Sequence, residues 1–137
     1  MIRKGRHHVT EDWEPRNSDQ KYRGMVSLKR ALANSINTIS AKLIDKTGPE
    51  AVVELTHKLG VTSEIPVQPS IALGAVDITV HDMVAAYSTF ADKGVYIKPQ
   101  FIARIEDKNG AVIYEPTPES HDVLNQDIAY AVIKLLE

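Results

Sequence analysis

The chain has 137 residues, 43% of them hydrophobic, with 16 Lys and Arg against 18 Asp and Glu and no cysteine. That is enough chain and apolar content for one domain with a buried core, which excludes an unfolded, highly charged segment. The near-neutral balance gives no electrostatic basis for binding nucleic acid. The lack of cysteine excludes a disulfide framework and thiolate chemistry, and leaves the redox compartment open. Arg3, Lys4, Arg6, His7 and His8 make a basic start, but no apolar stretch of signal-peptide or membrane-spanning length follows. There is no internal repeat.

In chain order, residues 1–24 form a polar, charge-mixed loop segment, and residues 25–137 form the body of one domain. Pro15 sets an extended approach within Trp13-Glu14-Pro15-Arg16-Asn17-Ser18-Asp19. Trp13 and Tyr22 read as anchors that hold the loop onto the body. Ser27 then caps a first short helix with Leu28, Ala31 and Leu32 on one face. Ile36, Ile39, Leu43 and Ile44 carry an apolar stripe into a second helix that ends at Gly48. Between the two lies Asn34-Ser35-Ile36-Asn37, whose polar side chains compete with helical hydrogen bonds and favour a tight elbow. Pro49 suits the first position of a third helix, with Val52, Val53, Leu55, Thr56 and Leu59 as its buried face and Gly60 as its stop.

Residues 61–78 form a connector whose Ile65, Ile71, Ala72 and Leu73 pack on the body. Thr79 with Asp82 resembles a capping box. It opens a helix whose stripe of Met83, Val84, Ala86, Tyr87 and Phe90 reads as core. Val95 to Ile97 is extended. Asp107-Lys108-Asn109-Gly110 joins residues 101–106 to 111–115 as a β-hairpin, with positive φ expected at both Asn109 and Gly110. A final helix starts near Asn125 and is still amphipathic at Glu137, which reads as a cut chain.

Three short patterns of serine acyl-transfer enzymes occur: Ser18-Asp19-Gln20-Lys21 (S-x-x-K), Ser35-Ile36-Asn37 (S-x-N) and Lys46-Thr47-Gly48 (K-T-G). A nucleophilic serine needs its lysine one turn away on a buried helix, whereas Ser18 and Lys21 sit in a polar loop. K-T-G needs a strand edge that can pair with an acyl substrate, whereas Lys46-Thr47-Gly48 ends a helix. Only the S-x-N corner, with Ser35 and Asn37, keeps a chemical reading. His7-His8 cannot converge on a metal as an i, i+4 pair can. His57, His81 and His121 are scattered, and Asp77, Asp82 and Asp92 read as capping or solvated positions. No cofactor is expected.

The surroundings of S-x-N carry a resemblance. Trp13 to Asn17, Ala31-Leu32-Ala33-Asn34-Ser35-Ile36-Asn37, Leu59-Gly60-Val61, Pro69-Ser70-Ile71-Ala72-Leu73-Gly74 and Met83 to Tyr96 resemble the transpeptidase domain of class A (bifunctional) penicillin-binding proteins. The resemblance implies an α+β, mostly helical fold, a fragment of the serine β-lactamase/transpeptidase-like fold with one β-hairpin. It implies acyl transfer on peptidoglycan stem peptides ending in D-Ala-D-Ala, with β-lactams as acylating inhibitors. It implies a parent anchored in the cell membrane with this part on the periplasmic, extracytoplasmic face. Ser35 would join the proton relay to the leaving amine, and Asn37 would orient the acyl group. The family's nucleophile precedes S-x-N on its own helix and its K-T-G strand follows, so this chain reads as an internal fragment lacking both and inactive alone. The alternatives are a non-catalytic binding or scaffold module derived from that fold, and a penicillin-sensing relative.

Overall fold

The structure, a computed structural model, describes residues 12–137 together with the short strand at residues 2–3. Lys4, Arg6, His7 and His8 of the basic start lie outside the described residues.

Helices α1 (Leu28–Ala33), α2 (Asn37–Thr47), α3 (Pro49–Lys58), α4 (Val80–Ala91) and α5 (Gln126–Leu136) form the body. Their starts follow local chemistry. Ser27 Oγ accepts from Arg30 N–H, Thr79 Oγ1 from Asp82 N–H and Asn125 Oδ1 from Asp127 N–H. Pro49 opens α3 where its missing N–H is no loss. At the end of α3, Gly60 N–H bonds to His57 O (3.0 Å) and Val61 N–H to Thr56 O (3.3 Å). This Schellman closure puts Gly60 at φ +93°, and a Cβ there would come within 2.1 Å of the Tyr96 ring. Glycine is required twice over, by backbone and by space.

The connector carries a 3-10 turn, Pro69–Leu73, that packs against α2. Leu59, Val61 and Ala86 form a buried cluster, with Ile65, Ile78, Phe90, Val123 and Leu124 packed on it. The fold class is therefore α+β and mostly helical, as expected.

The hairpin expected within residues 101–115 is present, and further strand pairs occur beside it. Among the described residues there are three two-stranded antiparallel ladders. β1 (Ile2–Arg3) pairs with β2 (Asp12–Trp13), β3 (Val95–Ile97) with β6 (Ser120–Asp122), and β4 (Ile105–Glu106) with β5 (Val112–Tyr114). The residue 1–24 segment thus contains a ladder of two residue pairs, and residues 120–122 are strand rather than the approach to α5. The β4–β5 turn also differs. Gly110 has φ +83°, but Asn109 is not at positive φ. Gly110 N–H bonds to Asp107 O (3.0 Å), while Asp107 Oδ1 accepts from Asn109 and Ala111 N–H. A turn followed by one left-handed glycine and a register shift at Ile105/Glu106 replaces the two-residue turn.

Helix α4 buries a different face from the one its apolar residues suggest. Asp82, Ala85, Ala86 and Thr89 are inside, whereas Met83, Val84 and Tyr87 are exposed. Small residues let α4 approach β3 and α5 closely. Asp82, expected at a capping or solvated position, is 1% exposed. It accepts from Thr62 N–H (3.1 Å), Ser63 N–H (2.9 Å) and Ser63 Oγ–H (2.6 Å), which ties the connector to the helix start. Leu28, Leu32, Leu43 and Leu55, expected on buried faces, are also substantially exposed. Tyr22 is exposed as well and does not serve as an anchor. Trp13 does: half-buried, it lines a cavity of about 130 Å³ with Gln68, Pro69 and Ser70.

Candidate functional site: the Ser35–Asn37 corner

Helix α1 ends in the same closure as α3, but without a glycine. Ser35 N–H bonds to Leu32 O (2.9 Å) and Ile36 N–H to Ala31 O (3.0 Å). These bonds put Ser35 in the left-handed region at φ +48°, which an L-residue adopts at a cost of roughly 1 kcal/mol. Ile36 follows as a buried plug beside buried Ala31. Asn37 then begins α2. Ser35 and Asn37 therefore flank one buried side chain on a sharp elbow, with Ser35 exposed and Asn37 half-buried. The elbow expected from Asn34-Ser35-Ile36-Asn37 is present.

Its second half is held from a distance. Ile36 occupies the cap position of α2 and has no side chain that can cap. The free N–H of Thr38 donates instead to Asn17 Oδ1 (3.1 Å), 21 residues upstream. Asn17 Nδ2 donates to Lys21 O (2.7 Å), closing the loop on itself. One residue back, Arg16 O accepts from Asn37 Nδ2 (2.9 Å). Asn37 is thus fixed by the loop. Sequence reasoning passed over Arg16 and Asn17 as members of a polar loop. The available signal was the apolar cap position of α2, which demands an acceptor from elsewhere.

The two other tripeptides lie where no acyl-transfer machinery is assembled among the described residues. Ser18 and Asp19 form an exposed turn, Gln20 is left-handed at φ +55°, and Asp19 pairs with Arg23. The Lys21 N–H and the Arg23 guanidinium hold the Asp19 carboxyl below its ordinary range. Lys46 and Thr47 form the last turn of α2, where Thr47 Oγ1 donates to Leu43 O (2.9 Å) and Gly48 ends the helix at φ +83°. The three described histidines have local partners. His57 Nδ1 bonds to Val61 O (2.8 Å), His81 stacks on Phe101 and His121 packs on Tyr96. Among the described residues no three His, Asp or Glu side chains converge as a metal site. A larger open cleft of about 430 Å³, lined by residues including Lys98, Phe101, Tyr114 and Glu119, shares no residue with the Ser35–Asn37 corner.

Comparison with known proteins gives this corner a context. The profile of the penicillin binding protein transpeptidase domain matches residues 2–137. Penicillin-binding protein 1A of Aquifex aeolicus is 46% identical over 114 residues, covering 83% of this chain and 16% of that protein. Penicillin-binding protein 1A of Clostridium novyi is 32% identical over 131 residues, covering 92% of this chain and 15% of its own length. The crystal structure of penicillin-binding protein 1A from Haemophilus influenzae superimposes with a TM-score of 0.73 at 27% identity, over 87% of this chain and 18% of that one. The chain thus spans about one sixth of the curated relatives it matches. No helix among the described residues is long and apolar enough to cross a membrane. With residues 2–137 matched by the family profile and most of the chain matched in fold, the chain belongs to the penicillin-binding protein transpeptidase domain family.

Proposed function

We propose that this chain is the S-x-N portion of a serine-type peptidoglycan D,D-transpeptidase, working on the extracytoplasmic face of the cell membrane. The observation that carries this reading is the Ser35–Asn37 corner. A serine occupies the left-handed closing position that glycine would fill with less strain. Its partner Asn37 has its amide held in place by Arg16 O. Strained, exposed polar residues held by their surroundings are characteristic of working sites.

In the proposed reaction a serine outside residues 1–137 attacks the carbonyl of the penultimate D-Ala of a stem peptide. Its proton passes through Ser35 to the leaving terminal D-Ala amine as the C–N bond breaks. Asn37 orients the acyl group on the enzyme. An amine from a neighbouring stem peptide then attacks the ester, the peptide cross-link forms, and the serine regains its proton. β-Lactams acylate the same serine. Ser18 and Ser35 are not nucleophiles in this scheme, so the 137-residue chain by itself does not turn over.

Fluorescent-penicillin labelling with intact-mass readout tests this. The expected result is no adduct on the 137-residue chain. A longer polypeptide that extends this segment in both directions should carry one adduct, on a serine outside it, formed more slowly when Asn37 becomes alanine. An adduct on Ser18 or Ser35 would overturn the assignment of roles. Absence of any adduct on the longer polypeptide would favour a binding module that has kept only the fold, and an adduct that forms but supports no cross-linking would favour a penicillin sensor.

A further inference from the structure

We propose that Asn17 is a positioning residue for the Ser35–Asn37 corner, acting through Asn37; this rests on the transpeptidase reading above. Asn17 lies on the loop before α1, where its neighbours Arg16, Ser18 and Asp19 are exposed, yet it is only 4% exposed itself. Burying an amide is unfavourable unless both of its ends are satisfied. Here both are. Nδ2 donates to Lys21 O at 2.7 Å and Oδ1 accepts from Thr38 N–H at 3.1 Å. The reverse orientation of the amide would set donor against donor and acceptor against acceptor, so the network admits one assignment.

The consequence is a clamp with two successive rungs. Asn17 meets Thr38 through its side chain, and Arg16 meets Asn37 through its carbonyl. Adjacent loop residues thus grip the first two residues of α2. The first rung fixes where the Arg16 carbonyl lies, and that carbonyl fixes which way the Asn37 amide faces. Without Asn17 the Thr38 N–H loses its acceptor, because Ile36 cannot cap, and the Arg16 carbonyl is no longer held against Asn37. A small rotation of an orienting amide reduces rate more than it reduces stability.

The experiment measures the second-order rate of penicillin acylation in the longer penicillin-binding polypeptide that carries this segment. It is run well below the melting temperature for Asn17→Ala, Asn17→Asp, Asn37→Ala and the Asn17→Ala/Asn37→Ala pair. Thr79→Ala, which removes the α4 cap far along the chain, controls for simple destabilisation. Asn17→Ala is expected to slow acylation at least tenfold, whereas Thr79→Ala keeps the wild-type rate. Asn17→Asp keeps the acceptor for Thr38 but sets an oxygen against Lys21 O, so it should cost stability yet acylate faster than Asn37→Ala. The double variant should react no more slowly than Asn37→Ala alone, because the two residues act in series.

Multiplicative losses in the double variant, or a wild-type rate for Asn17→Ala, would overturn the inference while leaving the transpeptidase reading intact. Should Asn17→Ala fail to fold, Asn17→Asp decides: a loss as large as that of Asn37→Ala would count against positioning through Thr38. A wild-type polypeptide that takes no label would overturn the transpeptidase reading, and this inference with it.

Discussion

Ser35 and Gly60 close α1 and α3 with the same pair of hydrogen bonds, which makes them a natural comparison. Gly60 adopts its left-handed conformation without strain; Ser35 adopts it against the preference of its Cβ. Fold stability alone favours glycine at both places. Ser35→Gly is therefore expected to stabilise the chain by about 0.5 kcal/mol, the relief of strain being partly offset by a more flexible unfolded chain. In the longer polypeptide the same change should slow acylation about a hundredfold, in the range of a lost proton-transfer group. Ser35→Ala should lose as much rate with no gain in stability. Denaturant midpoints alongside labelling rates separate the two effects. A Ser35→Gly chain that is both less stable and fully reactive would mean the serine is retained for folding.

At the scale of elements, Asp82 is the residue that joins two segments. It sits in the first turn of α4, and hydrogen bonds from the Ser63 hydroxyl, the Ser63 N–H and the Thr62 N–H hold its carboxyl well below the ordinary value of 3.8. The folded carboxyl is thus more acidic than the unfolded one, and the unfolded chain takes up a proton that the folded chain refuses. The resulting stabilisation is complete above the ordinary value and is lost as pH falls through the lower folded value. Asp82→Asn keeps the size of the side chain but has one carbonyl oxygen where the carboxylate has two. It should unfold at lower temperature than wild type at neutral pH, and the gap should shrink on acidification to about pH 3. Melting curves across that range check this, and a gap that stays constant would show that the charge of Asp82 contributes nothing.

The whole molecule exposes 10512 Å², whereas a compact monomer of its 15.2 kDa exposes about 7,100 Å². Large apolar side chains contribute to this surface. Met25, Leu28 and Leu32 at α1, Val80, Val84 and Tyr87 on α4, and Ile128 and Tyr130 on α5 all face solvent. Among the described residues the buried hydrophobic core holds ten residues, five of them alanine, so it contributes modestly to stability. The 137-residue chain alone is expected to bind the dye ANS strongly and to unfold over a broad temperature range. The longer polypeptide should bind far less dye per mass and slow hydrogen exchange in α4 and α5. A sharp melting transition without dye binding in the short chain would show that it seals its own core.

Features whose cause lies within four residues were legible in the chain. Ser27, Thr79 and Asn125 are caps, Pro49 opens α3 and Gly60 closes it, because each satisfies or permits a backbone group next to it. The elbow at Ser35 was legible for the same reason, and the ordered segments around it pointed to the family. Whatever depended on distant partners was not. The pairing of β3 with β6 joins segments about 25 residues apart that carry no alternation to announce it. The buried face of α4 was settled by small residues meeting neighbouring elements and by the Thr62–Ser63 N–H groups reaching Asp82, against the larger apolar surface of Met83, Val84 and Tyr87. Asn17 reads from sequence as one more polar loop residue. Only in the folded chain does α2, begun by an isoleucine that cannot cap it, take its acceptor from 21 residues away.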